Sequence, residues 1–212
     1  YVMDFKNIRV DYKKFEINFK DLDSHPVDFF LKWFSDILEI NKEANACVLS
    51  TVSHDNKPSS RVVLLKDVSK KGFVFFTNYQ SDKSIDIEDN NYVALNFYWS
   101  ELERQVRIRG KAERISAEES DIYFKRRPRE SQMGACLSNQ SSSIDLDYDF
   151  TDELELLRNK FKGKEVNRPS HWGGYYIMPN QVEFWQGRPS RLHDRLLYEF
   201  NGESWDKKRL AP

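Results

Sequence analysis

Residues 104–115 read RQVRIRGKAERI and show the alternation that decides the fold. In an extended chain Val106 and Ile108 point to one side, whereas Arg107 and Arg109 point to the other. This period of two is typical of a β-strand with one buried face and one solvated face. The segment is therefore expected to be a strand. Its arginine face is expected to contact water rather than nucleic acid.

Four similar segments precede this one, and further ones follow near the end of the chain. All are rich in Val, Ile, Leu, Phe and Tyr, and turn sequences such as HDNKP and SKKG lie between them. The predicted strands cover residues 46–53, 59–68, 72–78, 92–99, 173–178, 181–185 and 191–200. Strands with short connections predict an antiparallel sheet or barrel, so the fold class is mainly β with peripheral helices.

Helices are predicted at the edges of this sheet. The first begins near Pro26, after the capping residue types Asp23 and Ser24, and has apolar side chains at helical spacing. Another is expected over 81–90, and the capping box of Ser116 and Glu119 opens a third that must end by Pro128. A last helix contains Leu154, Leu157 and Phe161, and the polar stretch 138–149 is expected to be a mobile loop.

The composition fits one soluble domain. The chain has 212 residues, of which 39% are hydrophobic and 32% charged, and its net charge is −1. We expect residues 1–25, which are polar and mixed in charge, to form a loosely held arm and residues 26–212 to form one domain. A net charge near zero provides no overall field for nucleic acid or for a membrane surface, so neither is an expected partner. Cys47 and Cys136 are far apart, which favours buried, inert thiols in a reducing cytoplasm.

Several basic clusters indicate a bound anion. Residues 184–195 read FWQGRPSRLHDR, and an extended chain there would place Arg191, His193 and Arg195 in one row. Such a row of cationic or titratable side chains is unfavourable in a hydrophobic core and favourable for binding an anion. The aromatic and cationic side chains together suggest a ring-shaped ligand that carries a phosphate.

Three other clusters support this interpretation less strongly. Tyr123 and Arg127 are helical neighbours, with Ser131 just beyond Pro128, and together they resemble a phosphate cradle, although charged helix ends are common. Lys83 lies in a first helical turn, where an anion is favoured. Arg61 and Lys66 flank an apolar run, and either they mark its solvated ends or they bind one ligand. The second option requires Lys66 to lie beyond the strand, because residues five apart face opposite sides.

Other chemistries lack their sequence signals. The chain has no glycine-rich dinucleotide or nucleotide triphosphate loop and no serine-hydrolase elbow. Its four histidines are scattered without close carboxylates, which argues against a catalytic metal.

Six motifs occur in an order that resembles the pyridoxine 5′-phosphate oxidase (pyridoxamine-phosphate oxidase) family. The resemblance runs from about residue 26 to the C-terminal RLAP, with a weaker match at 9–12. The motifs are RVVLLK at 61–66, ERQV at 103–106, YFKRRPRESQ at 123–132, NQSS at 139–142, FWQG at 184–187 and RLHDR at 191–195.

The resemblance implies an antiparallel split β-barrel that binds FMN, as a homodimer with FMN between the subunits. The FMN-binding positions it implies are Arg61, Val62, Val63, Leu64, Leu65, Lys66, Phe76, Thr77, Lys83, Gln105, Gln140, Ser141, Trp185 and Arg195. The implied substrate positions are Arg9, Tyr12, Lys66, Tyr123, Arg127, Ser131, Arg191, Leu192 and His193, of which Arg191 and His193 lie over the substrate ring as catalytic residues. Arg9 and Tyr12 would belong to an arm that closes over the substrate.

The implied activity is the oxidation of pyridoxine 5′-phosphate or pyridoxamine 5′-phosphate to pyridoxal 5′-phosphate, with O2 reduced to H2O2, in vitamin B6 biosynthesis or salvage. The alternatives are a related flavin reductase and a non-catalytic protein that binds FMN or pyridoxal phosphate. Two positions depart from the family. Phe76 replaces a common Tyr, and Asp82 replaces an Arg that helps to bind the FMN phosphate, from which we expect weaker retention of FMN.

Overall fold

The protein is described by a computed structural model that covers residues 4–212. Within this range the body of the molecule is one antiparallel sheet, which confirms the mainly β prediction. Its strands are β1 (Ala46–Val52), β2 (Pro58–Leu64), β3 (Asp67–Ser69), β4 (Gly72–Asn78), β5 (Tyr92–Trp99), β6 (Arg104–Arg114), β7 (Trp172–Gln186), β8 (Asp194–Phe200) and β9 (Trp205–Arg209). Their order is β2-β1-β5-β6-β7-β4-β3, and β8 pairs with β7 and β9.

The long strand β7 joins the two halves of the sheet. On one side it pairs with β6 along nearly its whole length, with a register shift at Arg109 and Gly110. On the other side residues 172–177 pair with β4, whereas residues 181–186 pair with β8. The two strands predicted at 173–178 and 181–185 are therefore one continuous strand.

The helices lie around this sheet. They are α1 (Pro26–Leu38), α2 (Asp82–Asp89), α3 (Ala117–Arg126), α4 (Arg129–Leu137) and α5 (Thr151–Lys160). The capping box is present, because Ser116 Oγ accepts from the Glu119 amide and Glu119 accepts from the Ser116 amide. The prediction of a cap at Asp23 or Ser24 is wrong, since His25 Nδ1 accepts from the Val27 amide. Helix α4 and strand β9 were not predicted.

The main core lies between α1 and the sheet. Phe30 is fully buried, and its ring meets those of Phe73, Phe97 and Trp99 at centroid distances of 5.1, 5.3 and 5.9 Å. Trp33 packs edge-on against Phe184 at 5.3 Å. Aromatic side chains from a helix and from three strands thus hold α1 on the sheet.

The described part of the arm, residues 4–25, contains neither a helix nor a strand. It is not loosely held, however, because Ile17 is buried in the main core. The prediction of a loosely held arm is therefore wrong at this position.

Both cysteines are free thiols. Cys47 is buried, and burial raises the pKa of its thiol to about 12, as expected of an inert cysteine. Cys136 is only half-buried. No helix within residues 4–212 is both long and apolar enough to cross a membrane.

Replacing Phe30 with Ala should lower the free energy of unfolding by about 3–5 kcal/mol, because the fully buried ring leaves a cavity. The matched control is Leu31→Ala on the exposed face of the same helix, which should cost about 0.5 kcal/mol. Urea unfolding at one fixed protein concentration measures both losses. Equal losses for the two variants would contradict the packing described for α1.

Candidate functional site

One cavity collects most of the predicted phosphate-binding residues, and we call it the basic cavity. It has a volume of about 480 Å³. It is lined by Val62, Val63, Leu64, Lys66, Phe76, Thr77, Lys83, Tyr123, Arg126, Arg127, Pro128, Ser131, Gln140 and Trp172. The predicted cluster of Lys66, Tyr123, Arg127 and Ser131 is therefore brought together in one chain.

The ends of secondary-structure elements place these side chains. Strand β2 ends at Leu64, and Lys66 lies two residues beyond it, where its amide donates to the Val74 carbonyl. Lys66 therefore lies beyond the end of the strand, which is the arrangement that binding of one ligand by Arg61 and Lys66 would require. The intervening Leu65 side chain is buried in the main core rather than in the cavity. Tyr123 lies near the end of α3, and Ser131 lies in the first turn of α4.

Three stacked rings form a wall of the basic cavity. Phe76 stacks on Tyr123 with centroids 3.8 Å apart and on Trp172 at 5.4 Å. The Arg127 guanidinium lies 4.5 Å from the centroid of the Trp172 ring. This contact is a cation–π interaction, which holds the guanidinium without neutralising it.

Arg127 is the least satisfied polar group of the cavity. Its Nη1 atom is buried and has no hydrogen-bond partner among the described residues. Burial also lowers the pKa of the guanidinium, which indicates the cost of keeping a charge away from water. A buried donor without a partner is rare and expensive in a folded protein. An anion in the cavity would supply the missing acceptor.

A second cation lies deeper in the same cavity. Lys83 is buried, and its ammonium donates to Ser81 Oγ at 2.8 Å and to Gln140 Oε1 at 3.2 Å. Thr77 Oγ1 donates to the same Gln140 oxygen at 3.2 Å. Burial, helped by the nearby charge of Arg61, lowers the pKa of Lys83 to about 8. Both acceptors are neutral, so the ammonium is bound but not compensated.

Arg61 and Ser141 lie beside the cavity rather than in its lining. Arg61 Nη1 donates to Thr51 Oγ1 at 2.6 Å, and Arg61 Nη2 lies 3.8 Å from the buried carboxylate of Asp86. Ser141 Oγ accepts from the amide of Asp82 at 3.3 Å. The effect of Asp82 on FMN binding stays a prediction.

A second cavity, of about 610 Å³, lies under the arm, and we call it the arm cavity. Its lining residues are Ile8, Arg9, Val10, Asp11, Tyr12, Arg188, Ser190, Arg191 and His193. It unites the predicted arm residues with the predicted catalytic residues. No described residue lines both this cavity and the basic cavity.

The backbone around Arg191 is turned rather than extended. Ser190 and Arg191 both have left-handed backbone angles, with φ of 58° and 61°, inside a short 3-10 turn. His193 Nδ1 accepts from the Arg188 amide at 3.1 Å, so a neutral His193 carries its proton on Nε2. Burial, and next the charge of Arg191, lowers the pKa of His193. The neutral form is therefore favoured near pH 7.

The predicted row of Arg191, His193 and Arg195 is wrong, because β8 begins only at Asp194. Arg195 lies in the strand, where Nε donates to Glu183 Oε1 at 2.8 Å and Nη1 donates to the Ala211 carbonyl at 2.9 Å. The turn that contains Gly187 and Pro189 continues to His193, which is further than the sequence pattern indicated.

Trp185 and Gln105 also do not line the basic cavity. They are register partners on β7 and β6, and Gln105 donates to Asn96 Oδ1 at 2.8 Å. Trp185 lies 4.6 Å from the ring of His193. Leu192 is exposed beside them. The predicted FMN-binding residues thus form two groups within one chain, one at or beside the basic cavity and one around the second end of β7, where Trp185 lies beside His193.

Tyr12 places the arm against the second group. Its ring contacts Trp185 edge-on at 5.7 Å and His193 at 5.9 Å. A Cβ atom on Gly187 would lie only 2.6 Å from Tyr12 Cγ, so the glycine of the FWQG motif leaves room for this ring.

Four residues near the two cavities were missed by the sequence reasoning. Trp172 and Arg126 line the basic cavity, Arg188 lines the arm cavity, and Glu103 binds the arm. Of all the features that were missed, only helix α4 had a signal in the sequence, because Pro128 before RESQM is typical of a helix start. The other contacts join residues far apart in sequence. No group of three His, Cys, Asp or Glu side chains within residues 4–212 could hold a metal ion.

Family models match most of the chain. The model described as pyridoxamine 5′-phosphate oxidase matches residues 35–151. The model described as the pyridoxine 5′-phosphate oxidase C-terminal dimerisation region matches residues 172–212. The pyridoxine/pyridoxamine 5′-phosphate oxidase of Actinobacillus pleuropneumoniae serotype 5b is 48% identical over 99% of this chain and 100% of its own length. The enzyme of the same name from Leptospira biflexa is 46% identical, over 99% of each chain.

Solved structures share the fold. PhzG from Burkholderia lata, crystallised with tetrahydrophenazine-1-carboxylic acid, aligns with a TM-score of 0.88 at 26% identity, over 96% of this chain and all of its own. A pyridoxamine 5′-phosphate oxidase-related, FMN-binding protein from Nostoc punctiforme aligns with a TM-score of 0.73 at 14% identity, over 90% of this chain and all of its own. These likenesses confirm the split-barrel fold class.

Inorganic phosphate should stabilise the protein through Arg127. We expect saturating phosphate to raise the melting temperature by about 2–4 °C, because an anion that binds only the folded state adds roughly 1 kcal/mol. The Arg127→Met variant should lose this shift, whereas the Lys125→Met control, which removes an exposed charge from the end of α3 two residues before Arg127, should keep it. Differential scanning calorimetry measures the shift. An undiminished shift in Arg127→Met would show that the buried guanidinium is not the anion site.

Proposed function

Because this chain belongs to the pyridoxine/pyridoxamine 5′-phosphate oxidase family, whose members are oxidoreductases, we propose that it oxidises pyridoxine 5′-phosphate or pyridoxamine 5′-phosphate to pyridoxal 5′-phosphate. Membership confirms the resemblance inferred from the six motifs. The observation that carries the substrate assignment is the buried Nη1 atom of Arg127, which has no hydrogen-bond partner among the described residues and lies in one cavity with Lys66, Tyr123 and Ser131.

The reaction removes one hydrogen with its electron pair from the 4′ carbon of the substrate and one proton from the attached hydroxyl or amine, two electrons and two protons in all. Pyridoxine 5′-phosphate gives the aldehyde directly, and pyridoxamine 5′-phosphate gives it with uptake of water and release of ammonia. O2 takes up the electrons and protons and becomes H2O2. FMN, when bound, supplies the two-electron acceptor that no side chain provides.

The basic cavity is proposed to bind the substrate phosphate. Arg127 has a free buried donor, Tyr123 and Ser131 offer hydroxyls, and Lys66 adds a second charge. Charge-assisted hydrogen bonds of this kind fix a phosphate in place and in orientation. A fixed phosphate limits the positions open to the ring and its 4′ carbon.

The residues present fit an FMN phosphate next to this clamp. Lys83 is a buried ammonium with only neutral acceptors, and Thr77 and Gln140 line the same side of the cavity. Arg61 lies beside them. We propose that these residues hold the phosphate end of FMN, and that Gln105, Trp185 and Arg195 of a second subunit contact the remainder.

A homodimer is proposed because each chain separates this residue set into two groups that do not line one cavity. The match of residues 172–212 to a dimerisation region supports it. So does the exposure of apolar side chains on β2 at the mouth of the basic cavity, where Val62 is 66% and Leu64 42% exposed. In such a dimer the arm cavity of one subunit would face the basic cavity of the other.

Arg191 and His193 are proposed to act on the reacting side of the substrate ring. A neutral His193 has its Nε2 proton available as a donor, while Nδ1 is held by the Arg188 amide. Arg191 stays charged at every physiological pH. Together they would orient the ring and influence the loss of the proton from the 4′ hydroxyl or amine.

The protein loaded with FMN, mixed with pyridoxamine 5′-phosphate without O2, should lose the yellow colour of oxidised flavin. Admission of O2 should restore the colour and produce H2O2 and pyridoxal 5′-phosphate in equal amounts. Arg191→Ala should slow the anaerobic colour loss by about tenfold or more, with a smaller effect on substrate affinity. Bound flavin that stays oxidised would instead support a non-catalytic carrier or a reductase of another substrate.

FMN binding should weaken as the pH rises through about 8. A bound phosphate favours the charged form of Lys83, whose pKa in the free protein is about 8, so above that pH binding must take up a proton. The affinity should then fall by up to about tenfold per pH unit between pH 8 and 9.5, and stay nearly constant from pH 7 to 7.5. Fluorescence titration with FMN measures it. The Lys83→Met variant should bind FMN weakly with no such slope; a slope equal to the wild type would exclude Lys83.

A further inference from the structure

We propose that Glu103 is a positioning residue that holds the arm over the arm cavity through the arm's backbone. The inference rests on the proposed function, together with the role that the family resemblance implies for Arg9 and Tyr12 as substrate contacts. Glu103 itself lines neither cavity.

The side chain of Glu103 is hydrogen-bonded to the arm. It is only 5% exposed, and its Oε2 atom accepts from the amides of Lys13 and Lys14 at 2.8 and 3.1 Å. These two amides directly follow Tyr12. A buried carboxylate that accepts two backbone donors makes strong, charge-assisted bonds, and it fixes the main chain whatever the side chains there are.

The backbone of Glu103 is hydrogen-bonded to the end of β7 and the residue that follows it. Its carbonyl accepts from the Gly187 amide at 2.8 Å and from Gln186 Nε2 at 3.2 Å. Gly187 is the residue that leaves room for the Tyr12 ring. One residue therefore sets the separation between the arm and the strand end on which Tyr12 rests.

Glu103 also has an unusual conformation. Its φ and ψ are 55° and 39°, in the left-handed region that non-glycine residues rarely adopt. Such a conformation persists only where surrounding contacts enforce it. A glycine would fit this backbone more easily but could not bind the arm.

A second buried carboxylate holds the far end of the same stretch. Asp194 Oδ2 accepts from the Ile17 amide at 3.3 Å and lies 3.5 Å from Arg188 Nε, while Asp194 Oδ1 pairs with Arg209 at 2.9 Å. Asp194 directly follows His193. The arm is thus fixed at residues 13–14 and again at residue 17, and Glu103 is the anchor next to Tyr12.

Two variants separate the backbone bond from other effects. Lys13→Pro removes the amide that makes the shorter bond, whereas its control Lys13→Ala keeps the amide and loses only an exposed side chain. Glu103→Ala removes the acceptor, and Glu103→Gln keeps an acceptor oxygen. Glu101→Ala, two residues away, is the control for changes in this loop: its carboxylate accepts from Asn41, and its carbonyl, which accepts from Lys14 Nζ, is kept in the variant.

Hydrogen–deuterium exchange of the arm is the first measurement, and it needs no activity. We expect exchange in residues 9–17 to be at least about tenfold faster in Glu103→Ala and Lys13→Pro, because the bonded amides lose their acceptor or their order. Glu103→Gln, Lys13→Ala and Glu101→Ala should remain close to the wild type. Unchanged exchange in both Glu103→Ala and Lys13→Pro would overturn the proposal, even if the oxidase activity were established.

Steady-state kinetics with pyridoxine 5′-phosphate is the second. The KM should rise about tenfold in Glu103→Ala and in Lys13→Pro, with kcat changed less than about twofold, since the arm contributes binding rather than chemistry. In a Tyr12→Ala background, Glu103→Ala should raise the KM no further, because Glu103 acts through Tyr12. Additive effects of the two substitutions would indicate a merely structural role. An inactive wild type would reject the proposed function but not the exchange result.

Discussion

The pairing of β7 with two different partners on one edge is the constraint on which both cavities depend. Its first half pairs with β4 and its second half with β8. Trp172 at one end forms a wall of the basic cavity, and Trp185 near the other end packs against the arm. Thirteen residues separate the two side chains, which is on the order of 40 Å along an extended strand. The two ends of β7 therefore belong to different groups of residues within one chain, which is why the proposed site combines two subunits.

The charge distribution in the basic cavity points the same way. A folded protein avoids burying a cation without a counter-charge, because desolvation costs several kcal/mol. Here Arg127 stacks on Trp172, and Lys83 donates to neutral oxygens. The burial of both groups lowers their pKa values. The carboxylate of Asp86 lies near Arg61 instead. An entering phosphate dianion would compensate these charges, which is why the proposed function places the phosphates of substrate and FMN in this cavity.

The strands could be predicted from the sequence because their pattern is local. The alternation at 104–115 depends only on which side chains face the core, and the capping box of Ser116 and Glu119 spans four residues. Helix α4 was missed because it is short and has few buried side chains. The row at Arg191 was predicted wrongly because a pair of left-handed residues, which sequence alone does not reveal, turns the chain there. The motifs identified the family, but no motif shows which cavity each residue lines.

Contacts between distant segments were beyond prediction for a different reason. Glu103 meets the arm about 90 positions away in sequence, and it does so through backbone amides that any residue except proline would provide. Lys13 and Lys14 are basic, but the Lys13 ammonium pairs with Asp11 and the Lys14 ammonium donates to the Glu101 carbonyl, so the charge pattern of the arm does not reveal the backbone contact. Its only trace is on the acceptor side, in a buried carboxylate whose left-handed backbone is costly to maintain. When a buried acidic residue has a left-handed backbone and no ion-pair partner, the structure should be searched for main-chain amides that its carboxylate binds.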